Sequence, residues 1–362
     1  MKSTTSHIFL VAFCFLMTPA GIFAKSTRRV LSSYWVNTKT LREAEFLEGS
    51  FAVERQRGNR RQVIVPEAEA DRFLKMFPDA QLDEKDIHDV FVRNTRRNPR
   101  WRDRYHNWNS VQAELTSIAG MNPSLASVEH YGQSDNGEPL TAFRLTGRTT
   151  DIRKPEVLIT SSTHGNEIAT VEITMGMIQR LIAGYGKDTR ITAMMDKHVI
   201  FFIPVVSPDG YLDESREVNG VDPNRDYPYP GNPNKHSIPT IENETKWFAI
   251  HNIEGSCDIH SPAEMVMYPW AYTAQSVPAA DLAKFKALVN PMGQDLGFPV
   301  GQIYHIIYPA PGSSADYWYW KHKTLALGYE MAGGSFAPDS SEIPALIEQH
   351  VPSLYHFVEY FQ

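Results

Sequence analysis

Ser162-Thr163-His164-Gly165-Asn166-Glu167 is the stretch on which the reading of this chain turns. The apolar run Val157-Leu158-Ile159 leads into it, and a helical pattern, Ile168, Val171, Met175, Ile178 and Ile182, leads out. His164 and Glu167 therefore sit where a buried strand ends and a helix begins. A histidine and a carboxylate three residues apart on such a turn can converge on one metal ion. The spacing alone is weak, because it also occurs at His251/Glu254 and His356/Glu359. Those two lie in stretches that read as amphipathic surface helix. Only His164/Glu167 falls at the carboxyl end of a buried strand, where open α/β sheets place ligands.

Working outward, 362 residues are enough for one large domain and a small one. The apolar fraction of 42% fits a sizeable core. The net charge of -7, with no basic run interleaved with aromatics on one face, argues against a nucleic-acid partner. At the amino terminus Lys2 precedes the apolar run Ile8–Met17, which is too short to span a bilayer. Residues 1–24 are expected to be a signal peptide cleaved after Ala24 or Ala20, with no stable membrane insertion afterwards and a secreted or periplasmic location. Export leaves Cys257 as the remaining cysteine, so no internal disulfide can form. Cys257 reads as a buried strand residue. The rival reading, a metal ligand paired with His260, leaves Glu167 without a task.

Residues 25–92 read as a small unit in the order β-α-β-β-α-β, a ferredoxin-like α+β pattern. Its hairpin is signalled by Gly58-Asn59, and a second helix opens after Pro66. Residues 93–104 carry six arginines and no apolar period. They read as an exposed basic linker, open to proteolytic nicking or simply solvated. From residue 105 to 362 strands alternate with helices, giving an α/β domain: a mixed, mostly parallel central sheet with helices on both faces. Expected strands include Val199–Val206, Asp258–His260, Gln302–Ile307 and Thr324–Tyr329. His260 ends a strand of the same sheet and is a candidate third ligand. Two His and one Glu with an open fourth position is a catalytic zinc pattern.

The chain resembles the zinc metallocarboxypeptidase family of carboxypeptidase A and B type. The matching segments are His164-Gly-Asn-Glu167, Pro208-Asp-Gly-Tyr211, Gly220-Val-Asp-Pro-Asn-Arg225, Asp258-Ile-His-Ser261, Ile307-Tyr-Pro-Ala-Pro-Gly-Ser-Ser314 and Tyr329-Glu330, in the family's order. The segment before them resembles the family's pro-domain in length and element order. The resemblance implies one zinc ion on His164, Glu167 and His260, lowering the pKa of water towards about 7. It implies Glu330 as general base, and Asn224 and Arg225 as the grip on a substrate's terminal carboxylate. Arg216 would stabilise the oxyanion, Tyr308 would fold over substrate, and Asp222 would orient the first zinc histidine. Ala315 falls where the family sets preference for the last side chain. It argues against a strict Lys/Arg preference and leaves room for a large apolar or aromatic residue. Asp226 departs from the family's usual Asn, and a carboxylate there could pair with Arg225.

The implied partner is a peptide with a free C-terminal carboxylate, and trimming of cell-wall peptides is a variant of that reading. The alternative is a zinc amidohydrolase of aspartoacylase or succinylglutamate desuccinylase type acting on N-acyl amino acids. A catalytically dead binding module would require loss of a ligand or of the base, and all are present.

Overall fold

The strand that ends at His164 lies in the middle of a sheet. The computed structural model describes residues 31–57, 59–85, 105–150 and 153–362. The expected signal peptide and basic linker lie outside these residues.

The amino-terminal unit runs β1 (Leu31–Asn37), a helix Leu41–Ser50, β2 (Ala52–Arg57), β3 (Arg60–Pro66), a helix Glu67–Met76 and β4 (Gln81–Glu84). The sheet order is β2-β3-β1-β4, with antiparallel pairings throughout. This is the expected ferredoxin-like arrangement. Its helices bury Leu47 and Phe73 against Tyr34, Val36, Val63 and Val65 of the sheet.

In the larger domain the described strands are β5 (Ala126–Gln133), β6 (Pro139–Thr146), β7 (Glu156–Ser161), β8 (Val199–Ile203), β9 (Ile253–His260), β10 (Met265–Tyr268), β11 (Val300–Gln302) and β12 (Leu325–Glu330). They form one sheet in the order β11-β10-β12-β9-β7-β8-β6-β5. The central run β12-β9-β7-β8 is parallel, and antiparallel pairings join it to β10 and to β6. Val157, Leu158, Ile159, Ile200 and Phe202 are wholly buried, as expected where helices cover both faces of parallel strands. Helix Ile343–Glu359 packs against both Ala169–Gly184 and Ala279–Leu296. Helices Pro239–Ala249 and Ser314–His322 meet where Trp318 stacks on Phe248 at 3.9 Å between ring centroids.

This order creates a switch point. From β7 the chain crosses to β8 on one side, whereas β9 lies on the other side of β7. The connections leaving the carboxyl ends of β7 and β9 diverge, and a crevice opens between them. His164 follows β7, and His260 is the last residue of β9.

Several sequence expectations are corrected. Of the expected strand Gln302–Ile307 only Gln302 is extended, as the end of β11 (Val300–Gln302); Ile303–Ile306 is a helical turn. The strand at Val199 stops at Ile203, and Pro208–Asp213 is a short helix. The His251/Glu254 pair is not helical, since the helix ends at Ala249 and Glu254 already belongs to β9. His356 and Glu359 do lie on the closing helix and pair with Asp295 and Arg190.

Candidate metal centre

Two local features shape the turn after β7. Ser162 takes a left-handed conformation, φ 50°, and Thr170 bridges the turn, accepting from the Ser162 N–H at 3.1 Å and donating to the Glu167 carbonyl at 2.6 Å. Gly165 is required between ligand candidates: a Cβ there would lie 1.9 Å from the Gly210 carbonyl carbon. The turn thus presses onto the Pro208–Asp213 helix and aims both side chains back across the end of the sheet.

His164, Glu167 and His260 are all buried, and their candidate ligand atoms lie within 4.8 Å of one another. The closest approaches are 2.7 Å from His164 Nδ1 to Glu167 Oε1, 3.0 Å from His260 Nδ1 to Glu167 Oε2, and 3.2 Å between the two Nδ1 atoms. Tetrahedral zinc with bonds of about 2.0–2.1 Å has ligand-to-ligand edges of about 3.3 Å. The donor set therefore fits the size and chemistry of such an ion. Each imidazole also turns its far nitrogen to a carboxylate: His164 Nε2 lies 3.1 Å from Asp222 Oδ1, and His260 Nε2 lies 3.0 Å from Asp258 Oδ2. That arrangement places the proton on Nε2 and the lone pair on Nδ1, facing inward.

The surrounding carboxylates favour positive charge within this group. Burial disfavours protonation of His260, yet Asp258 and Glu167 raise it well above its usual value. Burial and Arg216 likewise oppose protonation of His164, but Glu167 and Asp222 raise it. Burial would raise Glu167, but the two imidazoles pull its carboxyl far below the usual range. Glu330 is pushed up to about 7, first by burial and then by the charge of Glu167. Its Oε2 accepts the Ala263 N–H at 3.2 Å.

Asp258 is the residue that sequence reasoning missed. Oδ1 accepts from the hydroxyls of Thr160 and Thr163 at 2.9 and 2.8 Å, and Oδ2 from Ser314 at 2.7 Å, besides facing His260. The available signal was the spacing Asp-x-His on a strand, which puts both side chains on one face and Cys257 on the other. Cys257 is buried and free, and it takes no part in the ligand group.

The remaining candidates surround this group. Arg216 Nε donates to Asp222 Oδ2 at 3.1 Å, and its NH1 stands 3.7 Å from Glu167 Oε1. Asn224 accepts the Ser314 N–H at 2.9 Å through Oδ1, and its Nδ2 lies 3.0 Å from His260 Nε2. Arg225 NH1 donates to the Asn224 carbonyl at 2.8 Å, and its guanidinium sits 5.5 Å from the centre of the Tyr308 ring. Among the described residues no carboxylate comes within ion-pair distance of Arg225. The expected pairing with Asp226 does not form, because that carboxylate is taken up by Ser237 and Ile238. Ala315 is buried in the first turn of Ser314–His322. Beside it Asp316 is pushed up to about 7 by burial, although it accepts the N–H groups of Ala271 and Tyr272.

Comparison with known proteins agrees with this geometry. A family model for zinc carboxypeptidases (Peptidase M14) matches residues 111–353. Carboxypeptidase A4 of Mus musculus is 28% identical over 284 residues, covering 67% of this chain and 67% of the relative. A zinc carboxypeptidase of Saccharothrix mutabilis subsp. capreolus is 26% identical over 275 residues, covering 65% and 63%. Among solved structures, carboxypeptidase A from Helicoverpa armigera superposes with a TM-score of 0.78 at 19% identity, covering 92% of this chain and 97% of that one. Thrombin activatable fibrinolysis inhibitor gives 0.70 at 14% identity, covering 92% and 98%. These structural likenesses speak for the fold. The chain belongs to the zinc carboxypeptidase family, and its matches span about two thirds of the length of the curated relatives.

Proposed function

We propose that this protein is an exopeptidase that hydrolyses the last peptide bond of peptides with a free C-terminal carboxylate. The observation that carries the reading is the guanidinium of Arg225, which meets no carboxylate among the described residues, beside a ligand set fitted to one zinc ion. Asp222 and Asp316 are near enough to feel its charge, yet neither binds it. A partly buried guanidinium that meets no carboxylate of its own suits an arriving one, which it grips through two parallel bonds.

His164, Glu167 and His260 would hold the ion. When bound, zinc supplies Lewis acidity and acidifies water at neutral pH. Glu330 has Oε2 occupied by the Ala263 N–H, so Oε1 is free to take a proton from the attacking water and return it to the leaving amine. The new bond joins the water oxygen to the peptide carbonyl carbon, and the C–N bond breaks. Arg216, fixed by Asp222, is set to stabilise the negative charge that develops on the carbonyl oxygen. Asp222 and Asp258 orient the two histidines. Asn224 and Arg225 hold the terminal carboxylate, and Tyr308 covers it. The small side chain of Ala315 leaves space for a large apolar or aromatic final residue. Turnover of a C-terminal Arg peptide many times faster than a C-terminal Phe one would refute that preference.

The same reading takes residues 1–24 as an export signal and the amino-terminal unit as an inhibitory pro-domain released by cleavage within 93–104. Cleavage there should raise activity; equal activity before and after would refute the inhibitory role.

The decisive assay compares an N-blocked dipeptide with a free carboxylate, its C-terminal amide and an N-acyl amino acid. Rapid, chelator-sensitive turnover of the first alone supports the proposal, with activity restored by zinc. Preference for the N-acyl amino acid would favour an amidohydrolase instead.

A further inference from the structure

We propose that Asp226 is a positioning residue for the carboxylate clamp: it ties the loop carrying Arg225 to Ser237 and Ile238 and so keeps the guanidinium open. The inference rests on the clamp role given to Arg225 above.

Asp226 follows Arg225 directly and is fully buried. A buried carboxylate next to a guanidinium is expected to pair with it. Here it is satisfied elsewhere. Oδ2 accepts the backbone N–H groups of Ser237 at 2.8 Å and Ile238 at 3.0 Å, and Oδ1 accepts the Ser237 hydroxyl at 2.5 Å. These donors lie just before the helix Pro239–Ala249, whose amino end also favours negative charge. Three charge-assisted bonds leave the carboxylate no need of Arg225.

The next residue repeats the tie. Tyr227, also fully buried, donates its N–H to the Gly312 carbonyl at 3.1 Å, and its hydroxyl to Glu244 on the same helix. Two successive side chains therefore fasten the chain after Arg225 to one helix. The backbone of the clamp is fixed while its charged end meets no carboxylate among the described residues. What the tether needs from Asp226 is acceptor oxygen rather than charge. An asparagine keeps one oxygen for the backbone N–H groups and can donate to the Ser237 hydroxyl.

The test uses zinc-loaded full-length protein, assayed before and after cleavage in the basic segment, on a free-carboxylate dipeptide and its amide. Asp226→Ala should raise KM for the free acid about tenfold with kcat within about threefold, the signature of lost binding rather than lost chemistry. The preference for acid over amide should fall by a similar factor. Asp226→Asn should match wild type on both measures, because it keeps an acceptor oxygen for the two N–H groups. Should Asp226→Ala fail to fold, judged by zinc content and thermal unfolding, Ser237→Ala carries the test, with an expected KM rise of about two- to threefold and unchanged kcat. Unaltered KM and preference in a zinc-retaining variant would overturn the proposal, as would an equal loss on acid and amide. If wild type itself shows no preference for the acid, the clamp reading fails first; if it does and the variants leave it unmoved, the tether alone is wrong.

Discussion

Glu330 and His260 stand side by side across a parallel ladder, each the last residue of its strand. The backbone register of β12 and β9 thus sets the distance between the proposed base and a candidate metal ligand. Strand ends in a packed sheet are far more rigid than loops. Glu330→Gln should retain zinc and the fold yet lose turnover by about 10²- to 10⁴-fold. Metal analysis alongside kcat checks this; a variant within tenfold of wild type would place the base elsewhere.

Asp258 gathers four groups from β7, β9, the turn at Thr163 and the helix Ser314–His322. Asp258→Ala should weaken zinc binding by about 10- to 100-fold, measured by chelator competition. It should also lower stability by about 1–3 kcal/mol, since buried hydroxyls lose their acceptor. Unchanged zinc affinity would mean that His260 needs no orienting partner.

Gly312 joins the Tyr308 loop to the backbone of Arg225, the proposed clamp. Its φ is 88°, and a Cβ would come within 2.4 Å of the Arg225 carbonyl oxygen. Gly312→Ala must shift backbone, at a cost of about 1–3 kcal/mol. KM for free-carboxylate peptides should rise more than kcat falls. A variant with wild-type kinetics and melting temperature would show the contact to be slack.

His350 gives the acid side of the stability curve. Burial pushes its imidazole down to about 4, with Nδ1 2.6 Å from the Tyr329 hydroxyl and Nε2 accepting the Ala332 N–H. The unfolded value is about 6.5, so the folded state resists a proton that the unfolded state takes. This contribution is fully present above about pH 6.5 and is lost as pH falls towards 4, on the order of 3 kcal/mol in total. Denaturant unfolding of wild type and His350→Asn across pH 4–7.5 should converge towards acid. A constant gap would refute the assignment.

The sequence was most legible where short-range pattern suffices. The β-α-β-β-α-β order was readable because Gly58-Asn59 and Pro66 mark its turns. The candidate ligand triad was readable because His164 and Glu167 lie on the turn between a buried apolar strand and a helix, and His260 closes another strand of the same sheet. The helix Ser314–His322 escaped notice because Tyr317, Trp318 and Tyr319 are buried on all sides, leaving no amphipathic period to detect. Ile303–Ile306 alternates like a strand, yet closes a helical turn whose fate depends on neighbours rather than on propensity.

By itself, then, the chain determined most of its element order, its candidate ligand types and the family its motifs resemble, since these follow from local periodicity and spacing. Only the tertiary structure decided which carboxylate serves which cation. Asp226 adjoins Arg225 in sequence but bonds Ser237 and Ile238, whereas Asp258, two residues from His260, draws in Thr160, Thr163 and Ser314. Buried charges are satisfied by whatever donors the packing brings near, and sequence neighbours have no privilege in that choice.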